Sequence, residues 1–191
     1  MSAESMVVPV GWGAAAAALA AAIALGQAIA NAIPTYRQCV IWIENQCKDR
    51  TLSNPRNYED YGHCSEPLTP VIVPSEVGGG VFVKTDWATS GSVGVIMYDI
   101  KKEGSGETKR LAVMYSVPYS YVTSSNWFAV GIFDRYTPCN QHLFNKMYYD
   151  SGPFTRGKAS NGQITYKSDG ITLKATMSDE YTPTIKLQIF D

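Results

Sequence analysis

Hydrophobic and polar positions follow two different patterns along the chain, and the change falls at Pro34. Before it, residues 12–33 are almost entirely apolar and contain no charged side chain. After it, short runs rich in Val, Ile, Tyr and Thr alternate with turn-forming residues, a texture typical of an all-β sandwich or barrel. No linker or sequence repeat is evident. We therefore predict an N-terminal lead and helix over residues 1–34 and a single β domain over residues 35–191.

The alternating runs predict a series of strands bounded by Gly, Pro, Asn, Asp or Ser. These strands are Cys39–Glu44, Thr51–Tyr61, Val71–Val73, Val77–Thr85, Val93–Asp99, Arg110–Val117, Trp127–Phe133, Gln163–Lys167, Ile171–Met177 and Thr184–Phe190. The second strand is interrupted by Asn54–Pro55. Between two of the strands, Cys139–Tyr149 predicts a short helix, because its apolar side chains recur one helical turn apart.

The apolar run before Pro34 predicts one long helix, because it is rich in Ala and is bracketed by Pro9 and Pro34. On a helical wheel the larger apolar side chains fall on one arc, with two amide side chains beside it. These positions are Trp12, Leu19, Ile23, Leu25, Gln27, Ile29, Asn31 and Ile33. A helix of about 20 residues is about 30 Å long, the thickness of the hydrocarbon core of a bilayer.

Four interpretations of this helix stay open on the sequence alone. A signal peptide is one, since Ala28–Ala30 and Ala30–Ala32 resemble cleavage sites, although the lead contains Glu4 and no Lys or Arg. A transmembrane anchor is the second, and a helix buried against the domain is the third. The fourth is a conditional helix that is docked in water and transferred to a membrane when one is bound.

Aromatic residues concentrate in Leu111–Phe154, which holds half of the 22 in the chain. Tyr119 and Trp127 lie among Pro, Ser, Thr and Asn, a composition that belongs on a surface loop. Tyr148 and Tyr149 are adjacent, so one face of a helix or strand cannot bury both. Tyr and Trp combine an apolar body with a polar tip and favour interfaces. The pattern therefore predicts an aromatic binding surface.

Composition excludes several other functions. The formal net charge of −1 gives no broad basic field for nucleic acid. Neither a nucleophile elbow, nor a phosphate-binding loop, nor a zinc-protease motif is present, so an enzyme is not predicted. The four cysteines, Cys39, Cys47, Cys64 and Cys139, fit no zinc signature. They allow two disulfides or four buried free thiols. With only His63 and His142 beside them, we predict neither a metal site nor a cofactor.

The aromatic segment resembles the signature of the actinoporins, the pore-forming toxins of sea anemones. The residues that carry the resemblance are LAVMYSVPYSY, SNWF and MYYDSGPF within Leu111–Phe154, together with the preceding strand GSVGVIMY at Gly91–Tyr98. The predicted N-terminal helix stands where the family has its amphipathic one. The segment Thr51–Cys64 and the cysteines resemble actinoporin-like proteins of fish and other animals. Fungal fruit-body lectins are similar in fold.

The resemblance implies a mainly β fold, a β-sandwich flanked by two α-helices of which the N-terminal one is amphipathic. It also implies a phosphocholine headgroup site formed by the aromatic loop and the second helix. The residues expected there are Val93, Ser116, Pro118, Tyr119, Trp127, Phe144, Tyr148 and Tyr149. Aromatic faces hold a quaternary ammonium by cation–π attraction, at about 0.5–2 kcal/mol each. Ser and Tyr hydroxyls can bond the phosphate oxygens.

In that family the N-terminal helix leaves the sandwich, enters the bilayer and lines a pore with copies from other protomers. Three departures from the family weaken this expectation here. Thr123 and Ser124 replace aromatic residues at the loop tip, and Tyr61 replaces a serine of the headgroup site. The N-terminal helix also lacks a charged face. We therefore expect weaker penetration and a less cation-selective pore.

The predicted function is that of a membrane-binding, pore-forming protein that recognises lipid headgroups and inserts its N-terminal helix. The expected partners are phosphocholine lipids or glycolipids, with a monomer in solution and a homo-oligomer on membranes. The alternative is a lectin-like module that binds glycans or glycolipids without strong lytic activity. Because no clear signal peptide is evident, we expect a soluble form that acts at the membranes of target cells, stored in the cytoplasm or released outside.

Overall fold

A computed structural model describes residues 37–122 and 124–191, together with residues 24, 26–28 and 31. The strands of the described part are β1 Gln38–Asn45, β2 Arg50–Tyr61, β3 His63–Glu66, β4 Val71–Ile72, β5 Val77–Val83, β6 Ser92–Lys102, β7 Thr108–Val117, β8 Trp127–Asp134, β9 Phe154–Lys158, β10 Ile164–Ser168, β11 Ile171–Met177 and β12 Thr184–Phe190. One helix, α1, spans Gln141–Tyr149, and a 3-10 turn spans Ala159–Asn161. Of the residues described before β1, residues 24, 26–28 and 31 are helical.

The strands form two six-stranded sheets that face each other. The first sheet has the order β10-β11-β12-β1-β5-β3, and the second has the order β4-β2-β6-β7-β8-β9. β1 runs parallel to β12, whereas the other described strand pairs are antiparallel. The prediction of a mainly β sandwich with flanking helices is confirmed.

The main core lies between the sheets and follows the two-residue alternation of the strands. Ile96 and Tyr98 of β6 point into it, while Val95 and Met97 point to the opposite face of the second sheet. The largest side chains of this core, including Tyr115, are fully buried. Burial of each such side chain stabilises the fold by about 1.5–3 kcal/mol, so the sandwich needs no disulfide or metal to hold it together.

A second apolar cluster lies between α1 and the outer face of the second sheet. Leu143, Phe144 and Met147 form the buried side of α1 and pack on side chains from β6, β7 and β8. The predicted helix is confirmed, but it begins at Gln141 instead of Cys139. The reason is that the extended residue Asn140 caps it, with its side-chain oxygen accepting a hydrogen bond from the Leu143 N–H at 3.1 Å.

The N-terminal helical residues pack on the outer face of the first sheet. A Cβ atom on Gly26 would fall 2.5 Å from ring atoms of Trp42, so the bare backbone lies directly on that ring. The Thr184 hydroxyl donates to the Gln27 side-chain oxygen at 2.9 Å. These contacts agree with a helix that is buried or conditionally docked. Among the described residues, no helix combines the length and apolar character needed to span a bilayer.

Six of the eight positions predicted for the pore helix lie outside the described residues. They are Trp12, Leu19, Ile23, Leu25, Ile29 and Ile33. The other two are described: Gln27 donates from its side-chain nitrogen to the side-chain oxygen of Asn31 at 3.2 Å, one turn away on the same face of the helix.

Strand boundaries differ from the predictions where the chain is polar. β3 and β9 were not predicted, because HCSE and FTRGK lack the alternation of apolar residues that identifies a strand. The expected interruption at Asn54–Pro55 is a bulge within a continuous β2, with Asn54 at a φ of 54°. Two further predicted strands end earlier than expected, at Ile72 and Val83.

All four cysteines are free thiols, as one of the two alternatives expects, but only Cys39 and Cys47 are buried, whereas Cys64 and Cys139 are half-buried. Cys39 of β1 and Cys64 of β3 are both paired in register with Phe82 of the strand between them. They are therefore separated by two strand spacings, about 10 Å, which is too far for a disulfide. Burial raises the pKa of the Cys64 thiol and of the Cys139 thiol to about 11, which keeps both protonated at neutral pH.

Candidate functional site

One row of side chains crosses the second sheet near the end where β6 begins and β7 ends. Val93, Ser116 and Trp127 are direct neighbours on β6, β7 and β8, and Tyr61 and Lys158 extend the row on β2 and β9. Directly opposed residues of neighbouring strands share a face of the sheet. Because Val93 packs in the cluster under α1, the row lies on the face that carries the helix.

The helix α1 brings two tyrosines to this face. The Tyr148 and Tyr149 rings meet edge to face at 4.8 Å between centroids. Tyr148 also stacks on Phe144 at 5.6 Å, and it is half-buried in the cluster beneath the helix. Tyr149 is 70% exposed, whereas Phe144 is only 3% exposed. Phe144 therefore supports the tyrosines from below, and the ring surface open to a ligand belongs mainly to Tyr149.

Arg156 of β9 fixes the end of α1 that carries the tyrosines. Its guanidinium donates to the backbone oxygens of Met147 at 2.8 Å and of Asp150 at 2.9 Å. Carbonyls at a helix C-terminus lack partners within the helix and attract a positive charge. The guanidinium carbon also lies 6.0 Å from the centroid of the Trp127 ring. One side chain therefore links the tyrosine pair to the row on the sheet.

Trp127 already has cations against its ring. The Lys158 ammonium nitrogen lies 5.4 Å from the ring centroid, in addition to the guanidinium of Arg156. Such cation–π contacts use the electron-rich face that a quaternary ammonium needs. The same two positive charges attract an anionic phosphate. The neighbourhood of Trp127 therefore favours an anionic group, and the tyrosine pair is the better place for a cationic group.

Tyr119 belongs to a neighbouring aromatic cluster centred on Arg37. The Arg37 guanidinium lies 5.9, 5.1 and 4.6 Å from the ring centroids of Tyr119, Tyr121 and Tyr181. Its Nη2 and Nε donate to the Tyr119 backbone oxygen at 2.7 and 3.0 Å. Burial raises the pKa of Tyr121 to about 12. Its hydroxyl lies 2.7 Å from the side-chain oxygen of Asn126, which anchors the aromatic loop.

An open cavity of about 670 Å³ lies over this second cluster. Its lining residues are Arg37, Lys84, Tyr119, Ser120, Tyr121, Val122 and Tyr181. Its size falls in the range of ligand sites, which is about 300–1,000 Å³. Pro118 is half-buried at the start of the loop and is not part of the lining. The eight residues predicted for one headgroup site are thus distributed over the row, the helix and the loop.

Several residues of these surfaces were not predicted from the sequence. Arg37 and Tyr181 are separated from the aromatic segment by strands or turns, whereas Arg156 and Lys158 follow its last residue, Phe154, within β9. Lys158 reaches Trp127 only because β9 pairs with β8. The alternation of Arg156 and Lys158 along the strand was a usable signal, since it places both side chains on one face. Arg37 and Tyr181 carried none.

A charged network fixes the segment that leads into α1. Asp99 of β6 pairs with Arg56 and Arg110, and the Arg110 guanidinium also donates to the Thr137 backbone oxygen. Burial on its own raises the pKa of Asp99. Hydrogen bonds from Asn54 and Arg56 and the charges of both arginines outweigh burial and lower the pKa below its ordinary value. The carboxylate is therefore ionised at neutral pH.

The described residues contain no cluster of three His, Cys, Asp or Glu side chains that could hold a metal ion. Their aromatic surfaces offer ring faces, hydroxyls and fixed positive charges. Such groups bind and orient a polar headgroup.

The sequence matches known proteins over this region. The model of the sea anemone cytotoxic protein family matches residues 75–190. The toxin DELTA-actitoxin-Afr1c of Actinia fragacea is 38% identical over 86 residues, which are 45% of this chain and 43% of that toxin. Deep-sea actinoporin Cjtox I of Cribrinopsis japonica is 28% identical over 143 residues, which are 73% of this chain and 59% of that protein. The matches thus cover about half of the length of these two relatives.

A solved structure has the same fold. It is the lipid binding protein Nakanori, with a TM-score of 0.68 at 11% sequence identity. The similarity covers 92% of this chain and 85% of that one. At this identity the likeness concerns the fold and not the residues of the site.

Proposed function

This chain belongs to the sea anemone cytotoxic protein family, the actinoporins, and we propose that it binds membranes through lipid headgroups and forms pores in them. Members of this family are pore-forming toxins and not enzymes, and the names of the two relatives denote a toxin and an actinoporin. Because the matches cover only part of those relatives, the activity of the whole protein is inferred from its own surfaces.

The headgroup site is the row Val93–Ser116–Trp127 with the tyrosine pair of α1. The observation that carries this proposal is that one face of the sheet holds positively charged side chains and, apart from them, aromatic rings. Lys158 and Arg156 lie against Trp127, while Tyr148 and Tyr149 present ring faces and hydroxyls. A phosphocholine group needs both, a positive neighbour for its phosphate and aromatic faces for its ammonium. Each cation–π contact contributes about 0.5–2 kcal/mol.

The N-terminal helix is the element that enters the bilayer, so residues 1–34 form the lead and membrane-insertion helix. Residues 35–191 form the sandwich with the headgroup-binding loop and the second helix. The described contacts that dock the N-terminal helix involve no charged group. One is the Gly26 backbone on the Trp42 ring, and the other is the neutral hydrogen bond from Thr184 to Gln27. Such a bond contributes about 0.5–1.5 kcal/mol. Within the described residues, no ion pair ties this helix to the sandwich. The protein is a monomer in solution. On membranes it assembles into a homo-oligomer, which forms the pore.

A lectin-like function is the second candidate, because the cavity over Arg37 is lined by three tyrosines, Lys84 and Ser120. These groups can hold the hydroxyls of a sugar as well as a lipid headgroup. In this case the chain binds glycans or glycolipids and releases no vesicle contents.

Co-sedimentation with vesicles of phosphatidylcholine and sphingomyelin tests headgroup binding. Tyr149→Ala removes an exposed ring of the site, so we expect binding to weaken about tenfold while the fold is kept. The matched control is Tyr136→Ala, since Tyr136 is 82% exposed and lies just beyond Asp134, at the other end of β8 from Trp127. Equal binding by both variants and by the unchanged protein would remove the tyrosine pair from the site.

A further inference from the structure

Trp87 is the most exposed of the large hydrophobic side chains that the structure describes. It is 100% exposed, and Val122 follows at 94%. Its φ of 61° places the residue in the left-handed region. That region is unfavourable for a bulky L-residue. Neither packing nor local conformation explains a tryptophan at this position, because a fully exposed ring gains no burial. A strained and unburied aromatic residue points to a role outside the isolated fold.

The turn that carries Trp87 is held by hydrogen bonds. The Ala88 N–H donates to the Thr85 oxygen at 3.2 Å and closes the turn around Asp86 and Trp87. The Lys84 ammonium donates to the same Thr85 oxygen at 3.2 Å and to the Ala88 oxygen at 3.3 Å. These bonds hold both ends of the turn, so the Trp87 ring is presented from a fixed backbone.

This turn lies at the end of the sandwich where the aromatic loop lies. It connects β5 and β6, and β6 begins at Ser92, which pairs with Val117 at the start of that loop. Lys84, at the base of the turn, lines the same cavity as Tyr119 and Val122. Trp87, Val122 and the headgroup row therefore belong to one end of the molecule.

We propose that Trp87 is a second membrane anchor, which enters the interface of the bilayer beside the headgroup site. The proposal rests on the membrane binding proposed above and adds the part of the surface that penetrates. A bilayer interface is the occupant that fits, because it accepts a lone tryptophan without a shaped pocket. Lys84 at the base of the turn places a positive charge where lipid phosphates lie. Val122 is a second apolar tip on the loop, beside the exposed polar residue Ser124.

Vesicle binding by Trp87→Gly tests the anchor. Glycine accepts the left-handed conformation, so the change removes the ring and relieves the strain. With vesicles of phosphatidylcholine and sphingomyelin, we expect about tenfold weaker partitioning, equivalent to about 1.4 kcal/mol. The thermal midpoint is expected to stay equal or to rise. Tyr136→Gly is the matched control, since its ring is exposed near Asp134 at the opposite end of β7 and β8, and it is expected to bind as the unchanged protein does.

Quenching by brominated lipids gives a second readout that a purely structural role would not change. The unchanged protein is expected to show stronger quenching than Trp87→Phe, in which only Trp12 and Trp127 remain as lipid-facing tryptophans. Unaltered binding by Trp87→Gly, equal quenching in Trp87→Phe, or a lowered thermal midpoint of Trp87→Gly would each overturn the anchor. If these results occur while Tyr149→Ala still loses binding, the headgroup site stands and only the anchor falls. If the unchanged protein binds no vesicle, both proposals fall.

Discussion

Arg156→Met is the change that most directly tests how the sheet positions the tyrosine pair. The guanidinium donates to two carbonyl oxygens at the end of α1, one of them part-buried. A hydrogen bond from a charged donor contributes about 1.5–3 kcal/mol, and a cation at a helix C-terminus about 0.3–1 kcal/mol. Because the second carbonyl is exposed to water, we expect a total loss of about 2–3 kcal/mol. For a chain of this size that lowers the thermal midpoint by about 4–12 °C.

The same change should weaken vesicle binding more than the loss of stability explains. At 20 °C the variant remains folded. The last turn of α1 nevertheless loses its fixed position, and so does the Tyr149 side chain that it carries. We expect binding to fall about tenfold in co-sedimentation. Arg156→Lys should be intermediate, because it keeps the positive charge but replaces the rigid, planar guanidinium with an ammonium on a flexible stem. Arg135→Met is the control, since Arg135 is exposed and stacks on Tyr136 away from the helix. A midpoint shift below about 2 °C, or a large shift with unchanged binding, would refute the reasoning.

Three further predictions concern the rest of the fold. Asp99→Asn should destabilise by about 1–3 kcal/mol, measured by urea unfolding, because Arg56 and Arg110 lose their shared carboxylate. Since folding lowers the pKa of Asp99, its stabilisation is present above its ordinary pKa of 3.8 and is lost as the pH falls through the folded value. The decline in stability below about pH 4 should therefore be shallower in Asp99→Asn. Gly26→Val should displace the helix from Trp42 and increase acrylamide quenching, whereas Val at the exposed neighbour Ala28 should not. Reducing agent should leave the thermal midpoint unchanged, because all four cysteines are free thiols; a drop would reveal a disulfide.

The sandwich was predictable because its strands bury one face and expose the other. Val95, Ile96, Met97 and Tyr98 are an exception that shows the limit of this rule. All four are buried, since α1 covers the outer face of the second sheet. Their apolar run predicts a strand, but it does not state which element covers the second face.

The helix α1 and its tyrosines were predictable from local spacing. The side-chain contacts that hold the aromatic residues in place were not. Tyr148 and Tyr149 had to differ in burial because they are adjacent, and they do. The grouping of Tyr119 with Arg37 depends on a contact across 82 residues. No local pattern encodes such a contact, because it arises only when β1 and the aromatic loop meet at one end of the sandwich.

Trp87 shows a different kind of limit. In the sequence it stands in KTDWATSG, a run without alternation that indicates only a loop. Its full exposure and its left-handed backbone become visible only in three dimensions. The aromatic surface of Leu111–Phe154 could therefore be predicted from the sequence, whereas the exposed ring of Trp87 could not.

Release of an entrapped dye from phosphatidylcholine and sphingomyelin vesicles tests the central claim most directly, with binding followed in the same samples. The account predicts that the unchanged chain binds the vesicles and that dye release rises with protein concentration. For Tyr149→Ala, the protein concentrations that give half-maximal binding and half-maximal release should both be about tenfold higher. Binding to glycan-coated surfaces with no release from vesicles of any lipid composition would contradict it and would favour the lectin-like function.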